Sequence, residues 1–184
     1  MQGHDHQEMR IQRSRVLSSF FFPLKVVADT SSLILLTKAS LIIPFCENNN
    51  IYVPEVVFKE STSKSSSDGT ILKRIFDSKK INLYLNPSNS LSYNKLSGGE
   101  KEVIELFYQI KADCILIDDK KGVSLCRKFK IPHLNALLIP IFLLKWDIIS
   151  LEKAHTAFNK LITIGRYSKK VIDIAKNEFA NIKR

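Results

Sequence analysis

The sequence predicts an α/β fold with a central parallel sheet of four to five strands flanked by helices. Two apolar runs, at 25–28 and 114–117, are short, contain Val or Ile and end at acidic residues, as strands buried on both faces do. Residues with helical spacing follow both runs. Strands that alternate with helices along the chain are typical of a parallel sheet.

The predicted elements follow the order β-α-(α)-β-α-α-β-α-β-α-β-α-α-α, in which the helix in parentheses has no assigned range. Strands are predicted at 25–28, 51–53, 81–86, 114–117 and 131–134. Helices are predicted at 33–41, 54–60, 71–76, 96–112, 120–129, 135–145, 150–163 and 168–182. Residues 61–70 are low in apolar side chains and end in Asp-Gly, which predicts a loop.

Local signals support several of these helix boundaries. Residues 30–32 offer hydroxyl N-caps for the first helix. Pro54 suits a helix start, where its missing N–H is harmless. Ser97 and Glu100 form an S-x-x-E capping box. Pro140 is expected to interrupt the apolar helix that contains it.

Composition indicates one soluble globular domain with an anionic partner. The chain has 184 residues and a formal net charge of +10, and residues 152–184 carry eight Lys or Arg against three Asp or Glu. Such an excess favours nucleic acid, although a solvated lysine-rich surface has the same composition. The three cysteines are widely spaced among apolar residues, which indicates buried thiols in a cytoplasmic protein. No stretch is long enough for a membrane span.

Acidic side chains recur at corresponding points of the β-α units. Asp29 ends the first strand, Asp118 and Asp119 end the fourth, and Glu60 and Glu100 lie on helices. Because the carboxyl ends of parallel strands share one edge, these acids are expected to gather there. Oxygen-only ligands point to Mg²⁺ or Mn²⁺, and such a site hydrolyses phosphodiesters.

Each acid also has a purely structural interpretation. Asp29 fits an N-cap of the helix that follows it, and either Asp118 or Asp119 fits the same role before Lys120. Glu60 fits an exposed helical position, and Glu100 completes the capping box. Taken singly, these structural roles are favoured; five acids at such positions favour a shared site.

Four segments together resemble the motifs of PIN-domain ribonucleases. They are the strand 26–28 with Asp29-Thr30-Ser31, VPEVVFKE at 53–60, LSGGEKEVIEL at 96–106 and ILIDDKKG at 115–122. Residues 131–151 resemble the next strand and helix of the toxin-like (VapC-like) branch. The resemblance covers residues 25–170 and implies a three-layer PIN-like fold with a metal-dependent site that cuts RNA.

The resemblance also implies roles for individual residues. Asp29, Glu60, Glu100 and Asp119 would be the catalytic metal-site acids, with Asp118 as an alternative or supporting ligand. Many members are toxins with a small antitoxin partner and form homodimers. RNA contacts are expected from Thr30, Lys120, Lys121 and Asn135. The turn after the last strand departs from the branch pattern, because Ala136 lacks the polar side chain expected there.

The domain prediction treats residues 25–150 as the catalytic domain and 151–184 as basic helices packed on it. Residues 1–24 are expected to be a disordered extension or to precede the true start. Three arginines at 10–15 and the apolar stretch 16–22 imitate a secretory leader, but Pro23 and Lys25 break the pattern.

Two alternatives belong to other functional classes. A PIN-like module that binds RNA or protein without cutting would explain the altered turn at 135–138. An aspartate-based phosphatase would use Asp29 as nucleophile, but Ser31 occupies the position where that chemistry usually needs a second Asp.

Overall fold

Five parallel strands form the centre of the computed structural model, which describes residues 23–63, 67–85 and 99–182. The strands are β1 (Lys25–Ala28), β2 (Asn50–Pro54), β3 (Ile81–Tyr84), β4 (Cys114–Leu116) and β5 (His133–Leu134). Their spatial order is β3-β2-β1-β4-β5, with all four neighbouring pairs parallel. The predicted α/β class with its central parallel sheet is confirmed.

Helices flank the sheet in the predicted order. Within the described ranges they are α1 (Thr30–Lys38), α2 (Ile42–Glu47), α3 (Glu55–Thr62), α4 (Ser67–Asp77), α5 (Gly99–Ile110), α6 (Lys120–Lys128), α7 (Ile139–Lys145), α8 (Leu151–Ile164) and α9 (Lys169–Ala180). None of these helices is long and apolar enough to cross a membrane.

The two central strands are almost completely removed from solvent. Val26, Val27 and Ala28 of β1 are 0% exposed, and all three residues of β4 have the same value. Helices therefore cover both faces of these strands, as continuous apolar runs predict. The cysteines Cys46, Cys114 and Cys126 are buried free thiols, in agreement with the sequence-based expectation.

The predicted loop at 61–70 is much shorter in the structure. Helix α3 continues to Thr62 and α4 already begins at Ser67, while residues 64–66 lie outside the described ranges. The Thr62 hydroxyl donates to the Phe58 carbonyl at 2.7 Å, so this polar side chain is satisfied within the last turn of α3. Edge-to-face packing of Phe58 and Phe76 joins the two helices. Tertiary packing thus overrides the loop-like composition.

Pro140 begins a helix and does not interrupt one. A 3₁₀ turn at Ala136–Leu138 comes first, and Pro140 then occupies the first turn of α7. The Asn135 side chain caps the turn by accepting from the Leu138 N–H at 3.2 Å. In the first turn a missing backbone N–H leaves no helical hydrogen bond unmade. The prediction of an interrupted helix was wrong for this reason.

The strand order creates a switch point beside β1. The chain builds β1, β2 and β3 in one direction across the sheet, then returns to place β4 and β5 on the other side of β1. Connections therefore leave β1 and β4 toward opposite sides and open a crevice at their carboxyl ends. Ligands of open α/β sheets bind at this kind of position.

Candidate active site

Two aspartates meet at the carboxyl edge of the sheet between β1 and β4. The register pairs Ala28 with Leu116, and the Asp29 N–H donates to the Leu116 carbonyl at 3.0 Å. Asp118 follows β4 after one further buried residue. The two acids that the sequence places at the ends of these strands therefore lie at the switch point.

Ser32 joins the two carboxylates. Its backbone N–H donates to Asp29 Oδ1 at 2.8 Å, and its hydroxyl donates to Asp118 Oδ2 at 2.7 Å. The Ser31 hydroxyl donates to the second Asp29 oxygen at 2.6 Å. Asp29 is therefore the N-cap of α1 as well as a site acid. Because Ser32 is 0% exposed, this bridge is shielded from solvent.

Asp118 accepts hydrogen bonds from two further parts of the chain. The Ala136 N–H, just beyond β5, lies 3.0 Å from Oδ2 and 3.2 Å from Oδ1. The Tyr167 hydroxyl, between α8 and α9, donates to Oδ1 at 2.5 Å. Three segments of the chain thus donate hydrogen bonds to this one half-buried carboxylate and fix its position.

The protonation of both aspartates is perturbed in the same direction. Burial raises the pKa of Asp29 to about 6, and the nearby Asp118 charge adds to this, although hydrogen bonds from Ser31 and Ser32 oppose it. Burial also raises the pKa of Asp118 against its three donors. Two partly buried carboxylates at a strand edge are costly to keep ionised, and a cation would relieve that cost.

Asp119 has a different role from its neighbour. Its side chain caps α6 by accepting from the Gly122 N–H at 3.0 Å, and the residue is exposed. Consecutive residues leaving a strand point to opposite sides, and the structure turns Asp118 toward Asp29. The expectation that Asp119 faces the crevice is therefore reversed in this geometry. Which aspartate binds a cation stays a prediction, and the contacts favour Asp118.

Glu60 lies at the margin of the aspartate pair. It is exposed on α3, and its Oε2 accepts from the Thr30 hydroxyl at 2.8 Å. Thr30 immediately follows Asp29, so this contact ties the end of α3 to the start of α1. The start of α5 is also close, because a Cβ on Gly99 would lie 3.9 Å from Glu60 Oε1.

Glu100 is paired with a lysine. Its Oε1 lies 3.2 Å from Lys121 Nζ, which brings the start of α5 to the start of α6. The lysine side chain is 62% exposed, so the pair adds little stability. Ser97, the other half of the predicted capping box, lies outside the described residues. Lys120 is exposed without a described ion pair, and Asn135 serves as the cap described above.

The five predicted acids surround the crevice without forming one cluster. Among the described residues no three His, Cys, Asp or Glu side chains come close enough to hold a metal ion together. Each outer acid has instead a hydroxyl, an N–H or an ammonium as its partner. The facing pair still fits Mg²⁺ or Mn²⁺, since such ions need only one or two carboxylates and take water and phosphate oxygens as other ligands.

A cavity adjoins the acids on the α3 side. Its volume is about 490 Å³, within the range of small-molecule sites. The cavity is lined by Thr30, Ile34, Lys38, Glu60, Ser61, Ser63, Asp68 and Gly69. Six of the eight lining residues are polar or charged, and Lys38 Nζ lies 3.8 Å from Asp68 Oδ2 within this set. The cavity therefore provides space beside Thr30 and Glu60, next to the aspartate pair.

Sequence reasoning did not identify three groups that fix Asp118. Ser32 was considered only as a helix cap, and the Ala136 N–H carries no side-chain signal. Tyr167 lies 49 positions away from its partner. A buried hydroxyl directly after an acid at a strand end could have identified Ser32. Nothing in the sequence marks the other two.

A family model described as a PIN domain matches residues 25–179. This match spans most of the chain, including β1 to β5 and nearly all of α9. The chain belongs to the PIN-domain family. PIN domains are generally nucleases and generally use divalent metals, so membership indicates a nuclease-type function for the site described above. No curated protein matches the chain significantly.

Proposed function

We propose that this PIN domain is a Mg²⁺- or Mn²⁺-dependent endoribonuclease whose centre is the Asp29–Asp118 pair. The observation that carries the proposal is the position of two carboxylates with raised pKa values at the switch point of the sheet. Charge supports RNA as the substrate, because a protein of net charge +10 attracts a polyanion.

Oxygen donors of Asp29 and Asp118 would hold the cation. Glu60 and Glu100 lie beside the pair and, with Asp119, remain candidates for further contacts directly or through water. A bound divalent cation supplies charge stabilisation at a phosphate and a lowered pKa for water. A hard cation such as Mg²⁺ or Mn²⁺ suits these carboxylates, because all of the proposed ligands are oxygen atoms.

The residues around the pair have separate tasks in this proposal. The hydroxyl and backbone donors at Ser31 and Ser32 hold Asp29 in one orientation. Thr30 keeps Glu60 at the entrance to the cavity, where a nucleotide next to the cleaved bond would lie. Lys120 and Lys121 stand at the start of α6 beside Asp119, where they would attract the phosphate backbone.

The altered turn after β5 weighs less against catalysis than the sequence suggests. Its alanine has no polar side chain, yet the Ala136 N–H donates directly to Asp118. A backbone group thus supplies a polar contact beside the site. This contact supports an active enzyme over the alternative of a PIN-like module that binds RNA or protein without cutting it.

We further propose a toxin role, with a small antitoxin as partner, homodimer formation and a cytoplasmic location. The resemblance of residues 131–151 to the VapC-like branch supports this part of the proposal. Three buried free thiols are consistent with a reducing compartment. Size-exclusion chromatography with light scattering would measure the predicted dimer.

RNA cleavage by the purified full-length chain tests the proposed activity. We expect cleavage of a labelled single-stranded RNA with Mn²⁺ or Mg²⁺, no cleavage with EDTA, and recovery when excess Mn²⁺ is restored. The Asp29→Asn variant, purified in the same way, should be inactive. Any cleavage in that sample would reveal a contaminating nuclease. Equal cleavage by the wild type and this variant, or cleavage that persists in EDTA, would overturn the assignment.

A further inference from the structure

Tyr167 connects the C-terminal part of the chain to the candidate site. It lies between α8 and α9, outside every motif on which the site was predicted, and its hydroxyl donates to Asp118 Oδ1 at 2.5 Å. We propose that Tyr167 is a positioning residue that holds the Asp118 carboxylate in the orientation that binds a divalent cation. This inference rests on the proposed metal-dependent function of the same site.

The other donors to Asp118 leave one oxygen weakly held. Ser32 donates to Oδ2 at 2.7 Å, and the Ala136 N–H is nearer to Oδ2 than to Oδ1. Without Tyr167, Oδ1 would keep only the 3.2 Å contact from Ala136. The terminal torsion of an aspartate has a broad energy profile, so the carboxylate plane would then rotate more freely.

Gly165 makes room for the tyrosine ring. A Cβ at this position would lie 2.2 Å from Tyr167 Cε2 and 2.7 Å from Cδ2. The Gly165 backbone has φ −83° and ψ 149°, which any residue can adopt, so space is the only reason for a glycine here. The same Cβ would lie 2.7 Å from the Leu161 carbonyl oxygen, so a larger residue would require the Tyr167 ring, the end of α8, or both to move.

The segment that carries Tyr167 is anchored independently of the site. Helix α8 buries Ala154, Ala157, Phe158 and Leu161, and Gly165 ends this helix with its N–H bonded to the Leu161 carbonyl. Ser168 then caps α9 through the Val171 N–H. Tyr167 is thus held between a helix end and a helix start. A residue fixed from both sides can restrain a partner's rotation.

Mn²⁺ affinity of the metal-free full-length chain, measured by isothermal titration calorimetry, tests the role of Tyr167. Tyr167→Phe removes only the hydroxyl, and we expect about tenfold weaker binding. Tyr84→Phe is the matched control, because its hydroxyl accepts from Gln109 and it lies on the edge strand β3, three strands from β4, so its loss should leave the affinity unchanged.

Two features separate positioning from a merely structural role. Higher Mn²⁺ should restore the cleavage rate of Tyr167→Phe, because the defect lies in cation binding, and thermal unfolding should show the variant folded. Wild-type affinity in Tyr167→Phe would overturn the inference. The calorimetry does not depend on RNA cleavage, so a wild type that binds Mn²⁺ but leaves RNA intact would overturn only the nuclease proposal. A wild type without Mn²⁺ binding would overturn both.

Discussion

Asp118→Asn should reduce Mn²⁺-dependent RNA cleavage by about 100-fold or more, whereas Asp119→Asn should reduce it by less than about tenfold. Both substitutions keep the shape of the side chain and remove one negative charge, so each serves as the control for the other. Asp118 faces Asp29 through Ser32. The Asp119 side chain instead accepts from the Gly122 N–H at the start of α6.

The free energy of unfolding should separate a capping role of Asp119 from a catalytic one. Asparagine caps helices nearly as well as aspartate, so Asp119→Asn should stay within about 0.5 kcal/mol of the wild-type free energy of unfolding. Asp119→Ala, which has no capping oxygen, should lose about 1 kcal/mol in the same denaturant titration. The opposite order of activities, with Asp119→Asn inactive and Asp118→Asn active, would return the metal-site role to Asp119.

Asp29→Asn should stabilise the metal-free protein at neutral pH although it abolishes activity. Burial raises the pKa of Asp29 from 3.8 to about 6, so the folded chain holds this proton more tightly than the unfolded chain does. The contribution of this protonated carboxyl to the free energy of unfolding is fully present below about pH 4 and is lost as the pH rises through about 6. Above that range the ionised carboxylate lowers the free energy of unfolding by roughly 1–3 kcal/mol.

Denaturant unfolding at two pH values measures this effect. An asparagine cannot ionise and still caps α1, so the variant should gain roughly 1–3 kcal/mol over the wild type near pH 7.5 and almost nothing near pH 4. Asp173→Asn, at an exposed position on α9, is the control for replacing an aspartate by an asparagine. A variant less stable than the wild type near pH 7.5 would mean that ionised Asp29 stabilises the fold.

The positions of Asp29 and Asp118 could be predicted because they follow from the chain direction alone. Each acid directly follows a buried apolar run, and parallel strands bring such positions to one edge. The β-α order could also be predicted, because apolar residues recur with different periods in strands and helices. Glu60 and Glu100 were predicted to join the two aspartates, and in the structure a hydroxyl and a lysine are their partners.

The remaining features depend on exact element ends and on contacts between residues that are far apart in the sequence. Whether Asp118 or Asp119 faces inward depends on where the strand ends and on which side chain caps α6. The contact from Tyr167 spans 49 positions and depends on how α8 packs in the folded chain. The helical ends around 61–70 depend on packing between Phe58 and Phe76, which outweighs a loop-like composition.

The position of a bound cation tests the central claim most directly. Crystals of the full-length chain soaked in Mn²⁺ and measured near the manganese absorption edge would show the ion as an anomalous difference peak. We predict one strong peak within coordination distance of carboxylate oxygens from both Asp29 and Asp118. A peak at another group of residues, or none at this pair when Mn²⁺ supports RNA cleavage, would contradict the account.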